Sequence, residues 1–188
     1  MAKKSLDTIS SRDYFGIIAY TWSPMGGNWA VPLGPSADKT KIKRLIDVMQ
    51  IGDMPDFDSA MVEAVRQLVK TDAAQKHMII ISDGDPSPPS PGTLKSMVDG
   101  KITCSTVGIG YGQHVVEPTL RNIAMATKGR FYACRNPRTL PQIFVKESQI
   151  VRRSLIDEQR FTPQVQYAFS EVLTGIRTED GVPALNGL

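Results

Sequence analysis

Histidine is scarce in this sequence, with His77 and His114 the only two among 188 residues. Neither serves a Gly-x-Ser-x-Gly elbow, so serine–histidine catalysis has no nucleophile turn to use. Cysteine is as rare, at Cys104 and Cys134, which argues against a disulfide-stapled secreted scaffold. Both cysteines sit in apolar, strand-like runs and read as buried free thiols. One is expected near the start of its strand and the other at the end of the next, too staggered for the Cα approach of about 7 Å that a disulfide needs. No apolar run reaches the about 18–20 residues that span a bilayer, so direct membrane insertion by this segment is not expected. After Met1-Ala2-Lys3-Lys4, a polar Ser5-Leu6-Asp7-Thr8 run stands where a signal peptide has its apolar core. Charge of one sign is also missing. The net charge is only +3, and Lys39, Lys41, Lys43 and Arg44 fit a solvated helix face. A basic stripe with interleaved aromatics is absent, so a nucleic-acid partner is not expected. None of these features assigns a compartment.

What is present suits one globular domain: 41% of the residues are hydrophobic, enough for a real core without staples. Residues 2–11 read as the tail of a helix. Tyr14 to Tyr20 is short, aromatic and almost continuously apolar, the pattern of a strand covered on both faces. A Gly-rich turn, Met25-Gly26-Gly27-Asn28, leads to Trp29-Ala30-Val31-Pro32-Leu33, and the two runs form a hairpin whose second strand Pro32 marks as an edge. Asp38 is placed to cap a helix bearing Ile42, Leu45, Ile46 and Met49. Asp58 is placed to cap another, with Met61, Val62, Val65, Leu68 and Val69 inward. Met78 to Ile81 is the strongest strand, followed by a helix over 93–98, a strand over 103–109, and a helix over 117–127 that Gly129 stops. A strand over 130–134 and a helix from about 140 to 156 complete the series. Strands alternating with helices at this spacing imply an α/β fold: right-handed crossovers and a Rossmann-like, doubly wound, mainly parallel sheet with an antiparallel edge hairpin.

Open sheets of this kind bind ligands at the carboxyl ends of their strands. There the sequence offers Asp83 and Asp85, with Asp53, Asp56 and Asp58 in the loop before the second long helix. Carboxylates and carbonyls are the donors that hard cations prefer, so the cluster is a candidate Mg²⁺ or Ca²⁺ site. Capping by Asp58 and turn chemistry at Asp83-Gly84 account for two of these residues without a metal.

Four stretches then resemble one family in order: Asp13-Tyr14-Phe15-Gly16-Ile17-Ile18-Ala19-Tyr20, the run from Gly52 to Val65, Ile79-Ile80-Ile81-Ser82-Asp83-Gly84-Asp85, and the run Thr103 to Gly110 with Leu120 to Tyr132. Over roughly residues 2–150 the chain is similar to von Willebrand factor A-type (vWA) domains. The resemblance implies a non-enzymatic module for adhesion or assembly, built around a Mg²⁺ or Mn²⁺ adhesion site. Of that site's ligands, the resemblance transfers only the aspartate after the fourth strand, to Asp83. The threonine position corresponds to Pro55, which has no side-chain oxygen, and the Asp-x-Ser-x-Ser motif is absent. The implied site is therefore degenerate, with Asp53, Asp56 and Asp85 as the other candidate carboxylates.

The resemblance also implies that the family's first, central strand is missing. Two apolar strands would be left with unpaired facing edges, which is a liability. The expectations are a longer natural chain, or another segment in the slot, such as Val165-Gln166-Tyr167-Ala168-Phe169 or a second copy in a homo-oligomer. Residues 1–156 then form an incomplete vWA-like domain and 157–188 an extension toward a further domain. The run Ile143 to Ile156, followed by Pro183-Ala184-Leu185-Asn186-Gly187, resembles large bacterial membrane proteins that join a vWA domain to a glutamine amidotransferase-like domain. That likeness implies a membrane-anchored whole protein, with another protein or another domain as partner.

Two enzyme readings compete. Asp83-Gly84-Asp85-Pro86-Ser87 has the outline of a haloacid-dehalogenase phosphotransferase motif, in which two carboxylates one residue apart share Mg²⁺ and attack phosphorus. That motif normally opens its domain, and its later lysine and acidic pair are not evident. Gly108-Ile109-Gly110-Tyr111-Gly112 lies late in the chain without the helix a dinucleotide-binding turn needs, and reads as a loop.

Overall fold

The structure, a computed structural model, describes residues 2–20, 27–50, 52–53, 55–82, 86–110, 117–153, 160–161 and 185–186. Along the chain run α1 (Ala2–Thr8), β1 (Tyr14–Tyr20), β2 (Gly27–Pro35), α2 (Lys39–Asp47), α3 (Asp58–Leu68), β3 (Lys76–Ser82), α4 (Pro91–Asp99), β4 (Ile102–Ile109), α5 (Glu117–Ala126) and β5 (Phe131–Cys134). A 3₁₀ turn at Pro137–Thr139 leads into α6 (Leu140–Arg153), followed by β6 (Arg160–Phe161) and β7 (Leu185–Asn186). The chain divides into two compact units, Met1–Val151 and Arg152–Leu188. In the second, β6 and β7 pair antiparallel through Arg160 with Asn186 and Phe161 with Leu185.

The first unit contains two sheets. β1 and β2 form the expected hairpin, from Tyr14 opposite Pro35 to Tyr20 opposite Gly27. Its register shifts between Phe15 and Ile17, and Pro32 falls in that irregularity, where a missing N–H costs no ladder bond. Gly16 is required there: a Cβ would come within 2.7 Å of the Trp29 ring and 2.9 Å of the Leu33 Cα. One face of the hairpin packs on α1 and α2 through buried Leu6, Val31 and Ile42.

The second sheet has the order β3-β4-β5, all parallel, with Met78 beside Cys104 and Val107 beside Tyr132. Alternation sends Met78, Ile80 and Cys104 to one face, against Phe57, Met61 and Val65 of the α3 region and Leu120 and Ile123 of α5. Ile79, Val107 and Cys134 go to the other face, against Leu140 and Ile143 of α6. Helices cover both faces, so the doubly wound α/β reading holds. Cys104 and Cys134 are free and buried. They lie on opposite faces, a stronger bar to a disulfide than the stagger expected from sequence.

Several local expectations are corrected. Asp38 caps α2 as predicted, accepting from Lys41 N–H at 2.8 Å. For α3, however, Asp56 makes the capping bond, to Ser59 N–H at 2.8 Å, because Asp58 already lies inside the helix. Val62 and Val69 are not inward. They are 49% and 46% exposed, because the buried stripe runs through Met61, Ala64 and Val65. Gly129 does not supply the left-handed residue that ends α5; Lys128 does, at φ 57°. Gly129 N–H then reaches Ala124 O at 2.8 Å and Lys128 N–H reaches Met125 O at 3.3 Å, a Schellman closure. The glycine is needed for space, since a Cβ would sit 1.8 Å from the Cys104 carbonyl oxygen. α6 is described to Arg153, and its expected extension to 156 lies outside the described residues. So does the Val165–Phe169 run.

Candidate functional site

The loop before α3 and the loop after β3 meet, as ligand binding at the strand ends requires. Asp56 and Ser87 form a parallel bridge; Ser87 N–H donates to Pro55 O at 3.0 Å, and Phe57 N–H to Ser87 O at 3.1 Å. Tyr20, at the end of β1, binds the same loop. Its hydroxyl lies 2.7 Å from Asp56 O and 2.8 Å from Ser59 Oγ, and it accepts from Ala60 N–H at 3.3 Å. Burial pushes the Tyr20 phenol above its usual range, against the pull of these hydrogen bonds.

The carboxylates of this edge are used structurally. Asp56 caps α3. Asp58 accepts Ser90 N–H at 2.8 Å, and hydrogen bonds from Thr93 and Ser90 hold its carboxyl below the usual range. It therefore joins the starts of α3 and α4. Asp53 is exposed, and Pro55 contributes only a carbonyl already taken by Ser87. Asp83 and Asp85 lie outside the described residues. Among the described residues, no three histidine, cysteine, aspartate or glutamate side chains converge to hold a metal ion.

The family model for the von Willebrand factor type A domain matches residues 3–146. The chain belongs to this family. No curated protein matches it. Among solved structures, a von Willebrand factor type A protein from Catenulispora acidiphila is 22% identical with a TM-score of 0.67, over 78% of this chain and 35% of that one. The present vWA chain thus spans about a third of that protein's length. The conserved hypothetical protein BatB from Bacteroides thetaiotaomicron is 16% identical with a TM-score of 0.64, over 81% of this chain and 85% of that one. An aerotolerance-related membrane protein from Bacteroides fragilis is 15% identical with a TM-score of 0.63, over 79% of this chain and 84% of that one. Likeness at these identities is likeness of fold. Among the described residues, no helix of this vWA chain is long and apolar enough to cross a membrane.

A second polar cluster lies where α6 meets β3, β4 and β5, a place where sequence reasoning put nothing. Glu147 of α6 is fully buried. It accepts from Ser105 Oγ at 2.7 Å and from the Tyr132 hydroxyl, with His77 Nε2 at 3.2 Å and an Arg130 guanidinium nitrogen at 3.5 Å. One carboxylate therefore fastens α6 to β3, β4 and β5. Burial would raise its pKa, but the hydrogen bonds from His77, Ser105 and Tyr132 outweigh that and hold it at about 2. Burial and the neighbouring carboxylate push the Tyr132 phenol up to about 12. The available signal was a glutamate on the apolar stripe of a helix, at Phe144-Val145-Lys146-Glu147, with a histidine opening a buried strand.

Proposed function

We propose that this vWA domain is a non-enzymatic interaction module of a larger membrane-anchored bacterial protein, with a degenerate metal-ion-dependent adhesion site. The observation that carries the interaction reading is β3. Its run Met78-Ile79-Ile80-Ile81 is apolar on both faces, yet among the described residues it has one ladder partner, β4, and Ile81 is 40% exposed. Such an edge accepts an extended segment from another polypeptide. A second copy of this chain is the simplest occupant, since one edge then satisfies its twin. The adhesion site is read as degenerate because Pro55 replaces a ligand and Asp56 and Asp58 are engaged elsewhere. The membrane setting draws on the fold likeness to an aerotolerance-related membrane protein, and residues 157–188 are read as leading toward a further domain.

Light scattering over a concentration series tests the interaction. We expect assemblies larger than a monomer, reduced to monomers by Ile81→Lys with an unchanged circular-dichroism spectrum. A chain that stays monomeric at every concentration overturns self-association. Calorimetric titration with Mg²⁺ should give no saturable heat; binding that Asp83→Asn abolishes would restore a working cation site. Hydrolysis of an aryl phosphate, lost in Asp83→Asn, would overturn the non-enzymatic reading in favour of a phosphotransferase.

A further inference from the structure

The sheet edge opposite β3 is β5, whose one ladder partner among the described residues is β4. Arg130 O accepts from Thr106 N–H at 2.8 Å, so the alternation of the ladder turns the N–H and C=O groups of Phe131 and Ala133 away from β4. The surroundings of this edge are strongly of one sign. From Lys128 to Lys146 the chain has five basic residues and no acidic one, while its whole excess is +3, so the remainder is net acidic. Lys128, Arg135, Arg138 and Lys146 are exposed and take part in no ion pair among the described residues. Arg130 is shared with buried Glu147, at 3.5 Å from Oε1. The fold keeps all five near β5. Lys128 and Arg130 lead into the strand and Arg135 follows it, while Cys134 Sγ, 3.5 Å from Thr139 Oγ1, ties down the turn that carries Arg138. Lys146 lies 5.6 Å from the centre of the Tyr132 ring.

We propose that the β5 edge docks an acidic extended segment of another protein. The segment adds a strand through the outward groups of Phe131 and Ala133 and sets its carboxylates among these cations. A charged edge can also serve only to keep strands apart. A charge on the strand itself does that, whereas Phe131-Tyr132-Ala133-Cys134 has none and the cations flank both its ends. Like charges gathered without counter-charges repel one another, and an acidic ligand relieves that repulsion. A second copy does not fit, because pairing β5 with its twin brings cations against cations. Nor does a single-stranded nucleic acid, whose bases need open aromatic faces on which to stack. Arg121 covers the Phe131 ring at 4.2 Å, Lys146 lies over Tyr132, and the Tyr132 hydroxyl is bound to Glu147.

The probe is a fluorescent peptide of about ten residues, alternating glutamate and valine, titrated into the full chain. Saturable binding is expected, with hydrogen exchange at the Phe131 and Ala133 amides slowed about tenfold in the complex. Binding should weaken at about 1 M salt, where the screening length falls to about 3 Å. Arg135→Glu with Arg138→Glu, both outside the strand, should weaken it about tenfold. Ala133→Pro, which removes one outward N–H and keeps every charge, should weaken it by a similar factor. A peptide that does not bind shows an edge that is only blunted, and overturns the proposal. So does binding that leaves the Phe131 and Ala133 amides unprotected, whether or not the variants fold, since charge alone then holds the peptide. Tighter binding of an oligothymidylate or of phosphatidylglycerol vesicles than of the peptide overturns it in favour of a nucleic acid or a membrane surface.

Discussion

β3 and β4 are neighbours in one sheet and similar in length, and their burial differs. β4 carries five consecutive buried residues, Cys104 to Gly108. β3 has the longer run of large aliphatic side chains, yet Met78, Ile79 and Ile80 are only half-buried and Ile81 is exposed. The difference is the number of ladder partners: two for β4 and, among the described residues, one for β3. Hydrophobicity states what a strand can bury, and its place in the sheet decides what it does bury.

Substitutions can break that contrast or sharpen it. The largest effect is expected at the joint between β4 and α5. Gly129→Val should cost about 4 kcal/mol or more, because its Cβ would enter the Cys104 carbonyl and the backbone must move; denaturant unfolding reads it directly. Ile102→Ala, in the fully buried start of β4, should cost about 3 kcal/mol. An acid titration should show a loss of similar size, on the order of 3 kcal/mol, from Glu147. Its pKa is depressed from 4.5 to about 2 in the folded protein, so the stabilisation is complete above 4.5 and disappears as pH falls toward 2. Glu147→Gln should be less stable at neutral pH and should lose less stability than the unsubstituted chain across that window. Asp56→Ala, which removes the α3 cap, should cost about 1 kcal/mol. Ile81→Ala in β3 should cost less than about 1 kcal/mol, because much of the side chain is already in water. If Ile81→Ala costs as much as Ile102→Ala, β3 is covered in solution and the contrast fails.

Much of the fold was legible as pattern. Tyr14–Tyr20 and Met78–Ile81 read as strands because each is a short, nearly continuous apolar run, and Asp38 read as a cap because it precedes an amphipathic stretch. The errors came where two readings share one local signal. Gly129 follows a helix and looks like its left-handed terminator; only the approach of Cys104 reveals that the glycine provides room while Lys128 takes the positive φ. Asp56 and Asp58 are both plausible caps, and the true start of α3, fixed by Phe57 entering the core, decides between them.

By itself the sequence determined the α/β class, the parallel order of strands and helices, and the free state of the cysteines. These follow from side-chain chemistry and local periodicity, which act over a few residues. Tertiary structure alone decided that α6 is held by a buried carboxylate. His77, Ser105, Arg130, Tyr132 and Glu147 are spread over 71 positions of the sequence, from residue 77 to residue 147 inclusive, and they become one electrostatic unit only where three parallel strands pass beneath one helix. Removal from water makes each contact in that unit strong, and no local pattern in the sequence encodes that removal.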